Sequence, residues 1–232
     1  MDVAKKKSIK LQEMHPKGAD EPREIYQAVG VALSWWEASE DEILGLFKLL
    51  CEATEPVAIE SFIQAPRAVR GSMLKFAIET YAHRFNEGEA KVVYKAMEKL
   101  DILARTRNEI AHGHCSTQTV QIDGDVVASG NYLLPSLNEG EFHERSLRFN
   151  HIPETIYAFV EKVREQRGKI MDVRTQIITR DQQQQHMAEA TVRHHVGRVA
   201  RMELQGDEAI DELRKLIGWI DETERMFGSN AD

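Results

Sequence analysis

The feature that most constrains this chain is the spacing of its apolar residues, which recur in steps of three, four and seven through much of its 232 positions. Ile25, Val29, Ala32, Trp36, Ile43, Phe47 and Leu50 form one such series. An α-helix turns once in about 3.6 residues, so the series draws one apolar stripe along a long helix. Asp20-Glu21-Pro22 marks its start, with an acid to cap it and proline in the first turn, and Pro56 lies beyond its end. A second helix is expected from about Pro66, carrying Met73, Ala77 and Tyr81 inward and ending near Asn86-Glu87-Gly88. A third starts at about Glu89, with Val93, Met97, Leu100 and Leu103 on one face and Gly113 as its C-terminal stop. Lys91, Lys95 and Lys99 are four apart and form its solvated stripe.

Residues 115–150 differ. Thr119, Val120, Ile122, Val126 and Val127 are strand formers on either side of Asp123-Gly124, which predicts a β-hairpin. Tyr132–Leu134 and Ser146–Phe149 are expected to be short extended segments. After Pro153, a stripe of Ile156, Phe159, Val163, Ile170, Val173 and Ile177, with Gln166 in the missing position, predicts another long helix. Gln182–Gln185 read as a linker or a solvated helix turn, and Ile210, Leu213, Ile217 and Ile220 as one arm of a helical hairpin. The expected organisation is a flexible tail over residues 1–20, a helical domain over 21–180 and a C-terminal helical segment over 181–232. The fold class is mostly α, with a small β-hairpin insertion at about 115–150.

Charge and cysteine content narrow the function classes. Lys plus Arg number 30 against 38 Asp plus Glu, a net charge of −8. A protein that coats nucleic acid is usually basic, so any such site here has to be a local pocket of positive charge. Cys51 and Cys115 are far apart and give no disulfide framework, which fits a reducing, cytoplasmic setting. Lys5, Lys6 and Lys7 are followed by no apolar run, and the stretch Ala28–Trp36 is too short to cross a bilayer. No glycine loop that would cradle phosphate and no nucleophile elbow is present, and no cofactor is expected. His112, His114 and Cys115 are metal ligands by type, but no second ligand pair at a recognisable spacing accompanies them, so no metal site is expected.

One residue breaks the helical pattern. Leu100, Leu103, Arg107, Ile110 and His114 share a face if the third helix runs that far, so Arg107 stands where an apolar group belongs. An unpaired guanidinium in a core costs on the order of several kcal/mol. Arg107 therefore either meets a carboxylate inside the fold or faces a pocket or interface that wants a cation. Arg105, Asn108 and His112 lie on the neighbouring stripe. Arg107 and His112 are roughly 140° apart around the helix, a gap that a long arginine side chain can wrap across.

The string Arg107-Asn108-Glu109-Ile110-Ala111-His112-Gly113 closely resembles the motif of the HEPN family, an arginine, a polar residue and then a histidine after four to six intervening residues. That resemblance implies a helical bundle, usually a homodimer, in which two motif helices meet at a shared cleft. It further implies metal-independent RNA cleavage in which the 2′-hydroxyl attacks the adjacent phosphate, as in defence or toxin–antitoxin systems. Carried over by position, His112 would be the general acid or base, Arg107 would stabilise charge on the phosphate oxygens, and Asn108 would orient one or the other. Arg105 and His114 also fit the loose spacing and are candidates for RNA or phosphate binding. Members that bind RNA, a nucleotide or a protein without cutting make the alternative reading. Residues 181–232 lie outside the resemblance and are a candidate region for a protein partner. His194-His195 with Arg193, Arg198 and Arg201 read as a solvated helix face, and of Trp35 and Trp36 one is expected in the core and the other at a rim.

Overall fold

The computed structural model describes residues 15–51, 56–122, 125–135 and 150–200, together with 210–211, 214–215 and 217–218. The first helix, α1 (Pro22–Leu50), is the element around which its neighbours assemble. It buries Ile25, Ala28, Ala32, Trp36, Ile43, Leu46, Phe47 and Leu50, while Val29 is only half-buried. The seven-residue gap in the apolar series is filled by Ser39, whose hydroxyl donates to the Trp36 carbonyl at 2.7 Å. The expected capping acid does not cap. Glu21 precedes the helix in an extended conformation without a side-chain cap, and Asp20 faces Lys17 at 3.3 Å, so proline in the first turn begins the helix.

Pro56 lies past the end of α1, as expected, and opens a short helix that the sequence did not suggest, α2 (Pro56–Gln64), whose Phe62 stacks on Phe47 with ring centroids 4.3 Å apart. Helix α3 (Arg67–Thr80) buries Leu74, Ala77 and Ile78. Met73 and Tyr81, expected inward, are half-buried, so the core face is turned by one residue. The turn follows from Arg67 and Arg70, which both reach Glu40 of α1 and bring that side of α3 against it. A 3-10 turn (Ala82–Arg84) leads to Gly88, whose φ of 87° suits glycine, and then to α4 (Glu89–His112), beginning and ending where the sequence places it. Lys91, Lys95 and Lys99 are solvent-exposed.

Strands β1 (His114–Ile122) and β2 (Asp125–Leu134) form the expected hairpin, with Ile122 paired to Asp125 across residues 123–124, which lie outside the described residues. The pairing is antiparallel, with one bulge between Val120 and Gln121. Two segments join β2 in ways the sequence did not suggest. The start of the chain, expected as a tail through residue 20, is bridged to β2 from Lys17 to Ala19, and the Ala19 amide donates to the Asn131 carbonyl at 2.9 Å. The physical reason is a close backbone crossing: Gly18 and Gly130 approach so nearly that a Cβ on Gly130 would lie 2.7 Å from the Gly18 Cα. Residues 1–14 lie outside the described residues, as do Ser146–Phe149. Past them, His151 pairs with Leu133 in an antiparallel bridge.

Helix α5 (Pro153–Ala200) follows, its first turn closed by the Thr155 hydroxyl, which donates to the Ile152 carbonyl. Its stripe of Ile156, Phe159, Val163, Gln166, Ile170, Val173 and Ile177 is buried throughout, as its spacing predicts. The chain divides into two compact units, residues 1–174 and 175–232, and the division falls within α5. In the first unit, α1 contacts α2, α3, α4 and both strands, and Trp36 stacks on Phe159. In the second, Gln182–Gln185 are exposed turns of continuous helix, not a linker. Residues 210–211, 214–215 and 217–218 are helical, with Ile210 and Ile217 exposed, while Leu213 and Ile220 lie outside the described residues. No described helix is long and apolar enough to cross a membrane.

Candidate active site at the end of helix α4

The motif occupies the last two turns of α4. Arg105, Asn108, Glu109 and His112 fall within a sector of roughly 100° around the axis, and Arg107 stands roughly 140° from His112. The structure thus brings Arg105, Asn108 and His112 onto one side and turns Arg107 toward α1. Arg105, Asn108 and His112 are exposed. Arg105 Nε lies 3.2 Å from Glu109 Oε1, four residues on.

Arg107 does meet a carboxylate. Its Nη2 lies 3.5 Å from Glu37 Oε1 on α1, and its Nη1 donates to Asn108 Oδ1 at 3.3 Å. The partner acid is not internal, however. The Glu37 side chain is 65% exposed and that of Arg107 29%, so the pair sits at a rim where another anion can compete for the guanidinium. The Arg107 Nε is buried with no hydrogen-bond partner, which leaves one donor of the fork unused.

Glu37 belongs to a larger pattern. Along α1, Glu37, Glu40 and Glu42 are met by arginines from three other helices: Arg107 of α4, Arg67 and Arg70 of α3, and Arg167 and Arg174 of α5. Five guanidinium groups converge on three carboxylates, with Asp101 of α4 adding a fourth acid 3.0 Å from Arg67 Nε. Burial lowers the pKa of Arg67 from its ordinary value, opposed by the charge of Asp101. Glu42 is the innermost of these acids, 2.8 Å from Arg174 Nε. Trp36 is core and carries Arg67 over its ring, while Trp35 is half-buried beneath Arg164 and Arg167, the division expected of adjacent helical residues.

Helix α4 stops at Gly113, but not by a left-handed turn. Its backbone is extended (φ −72°, ψ 159°), and glycine is needed there for space, since a Cβ would lie 2.7 Å from Leu133 Cγ. Leu133 thus packs beneath the end of the motif, and through its bridge it carries His151 to the same place. His151 Nε2 lies 3.6 Å from Glu109 Oε2. His114, a candidate ligand, is half-buried at the first position of β1. Cys115 beside it has its thiol pKa raised by burial, which disfavours the thiolate. Among the described residues no group of three or more His, Cys, Asp or Glu could hold a metal ion.

Glu37, Glu109 and His151 were not singled out from the sequence. Glu109 lies inside the motif but at a position open to any residue. Glu37 and His151 reach the motif only through tertiary contacts from distant positions, for which a single sequence carries no signal. Compared with protein-family models, with curated proteins and with solved structures, the chain has no match in any of the three.

Proposed function

We propose that this protein is a metal-independent endoribonuclease of the HEPN type that works as a homodimer. The observation that carries the reading is the form of the Arg107-Asn108…His112 segment. It lies at a helix end, with an exposed imidazole and amide on one side and a guanidinium held at a rim by an exposed acid on the other. The reacting phosphate would replace Glu37 on Arg107, exchanging a screened surface pair for a charge-assisted, bidentate contact. His112 would take or give a proton at the ribose 2′-oxygen or the leaving oxygen. Arg107 and His112 stand on different sides of one helix, so a second copy of the helix facing the first would complete the constellation. Positive charge drawn from two motifs would then be concentrated in one cleft of a chain whose net charge is −8.

The test is incubation of the purified protein with mixed single-stranded RNAs in excess chelator. The expected products end in a 2′,3′-cyclic phosphate and a 5′-hydroxyl, and His112→Ala is expected to lower the rate by about 10²-fold or more. Intact RNA, or equal cutting by the variant, would rule the reading out. A second reading is binding without cleavage, in which a phosphate displaces the exposed Glu37 from Arg107 and no chemistry follows. It gives salt-sensitive RNA affinity that Arg107→Ala weakens, with no product formed.

A further inference from the structure

We infer that His151, oriented by Glu109, is the second proton-transfer group of the site, serving the leaving oxygen while His112 serves the attacking hydroxyl. The inference rests on the ribonuclease reading above.

The reaction requires two proton movements. The 2′-hydroxyl loses its proton as its oxygen bonds to phosphorus, and the 5′-oxygen gains one as its bond to phosphorus breaks. A cyclic phosphate and a free 5′-hydroxyl result, and no oxidant, reductant or water is consumed. In an in-line displacement the two oxygens lie on opposite sides of the phosphorus, so one imidazole is poorly placed to serve both at once. The motif supplies one histidine to this face of α4. The fold supplies another, from outside the motif.

Arg105, Glu109 and His112 follow one another along α4 in steps of four and three, so they form a single row, exposed at Arg105 and His112 and half-buried at Glu109. His151 is delivered to the middle of this row by three constraints. Its amide and carbonyl exchange hydrogen bonds with Leu133 at 3.0 and 2.9 Å. Asn150, only 3% exposed, accepts a hydrogen bond from the His15 amide at 3.3 Å. On the other side, the Ile152 amide donates to the Thr155 hydroxyl at the start of α5. The backbone at His151 is therefore fixed, and its side chain is mostly buried.

The Glu109 carboxylate is divided between the two neighbours. Oε1 takes Arg105 Nε at 3.2 Å, and Oε2 lies 3.6 Å from His151 Nε2. That nitrogen is shielded from water and makes no hydrogen bond, and the Glu109 carboxylate is the acid that faces it. With Nε2 turned to Glu109, Nδ1 would be the nitrogen that serves the leaving oxygen. Glu109 is then a positioning residue, and His112 stands about one helical turn further on, roughly 5 Å along the axis. Arg105 completes the row as a cation for the phosphate between the two imidazoles.

The experiment compares two oligoribonucleotides. One is natural, and the other carries sulfur in place of the 5′-bridging oxygen at the linkage the wild type cuts. A thiolate departs without a proton, so loss of a general acid is rescued by sulfur and loss of a general base is not. His151→Ala, with His151→Gln as a variant of similar size, is expected to slow the oxygen substrate by about 10²-fold or more and the sulfur substrate less than about tenfold. His112→Ala is expected to slow both. Glu109→Gln is expected to repeat the His151 pattern in weaker form, with thermal melting unchanged enough to show a folded protein. If both His151 variants slow the two substrates equally, or neither, while His112→Ala is inactive, this inference falls and the ribonuclease reading stands. A wild type inert on both substrates overturns the two together.

Discussion

Residue by residue, the arginines around α1 differ in what they contribute. Arg107 and Glu37 meet at a rim, so solvent screens their attraction, and the pair is worth about 0.2–1 kcal/mol. Glu42 is itself buried beside Arg167 and Arg174, and removing it leaves the buried Nε groups of both arginines without their acid. Urea titration of the two variants separates these cases. Arg107→Ala is expected to lower the unfolding free energy by no more than about 1 kcal/mol, and Glu42→Ala by about 3–5 kcal/mol. A large loss for Arg107→Ala would make it a structural residue and leave the nuclease reading without its phosphate-binding cation. The sequence flagged Arg107 correctly as an intruder in an apolar stripe. It could not show which acid answers it, because Glu37 lies seventy residues earlier on an unremarkable exposed face. Nor did it flag Glu42 as buried, since a lone acid beside an apolar stripe looks the same whether it faces water or a guanidinium.

Among the elements, the long helices were legible because burial alone sets their pattern. All seven stripe positions of α5, including Gln166, are buried, and the expected hairpin pairs its strands from His114 with Leu134 to Ile122 with Asp125. What escaped was the docking of short segments. The bridge from Lys17 to Ala19 depends on backbone hydrogen bonds, which leave no apolar period to read. Tyr132 anchors this bridge. It is fully buried, and its hydroxyl donates to the His15 carbonyl at 2.8 Å. Burial raises its pKa above the ordinary value of 10.0. The folded state therefore holds the phenolic proton more tightly than the unfolded state does. That contribution to stability is complete below about pH 10 and is lost as pH rises through the higher folded value. Unfolding measured from about pH 8 to pH 11 should show wild type losing stability more steeply than Tyr132→Phe at the alkaline end. Parallel curves would remove Tyr132 from that role.

For the molecule as a whole, the question is whether one copy suffices. Arg107 and His112 diverge around α4, so a composite site would draw the guanidinium and the imidazole from different copies. Mixing Arg107→Ala and His112→Ala proteins, each expected to be inactive alone on the nuclease reading, tests this. Random reassortment makes half the dimers mixed, and one of the two sites in each mixed dimer is intact, so cleavage is expected to recover to about a quarter of wild type. No recovery would mean that each site draws Arg107 and His112 from the same copy.

The crossing of Gly18 and Gly130 bears on how such a chain can diverge. Neither position accepts a side chain while the other backbone stays in place, so no single replacement at either is neutral. The bridged segment Lys17–Ala19 and the hairpin are thereby inherited as a matched pair. An exchange of the first twenty residues between two diverged copies of this gene would yield a folded product only where both parents had kept the bare backbone at both sites.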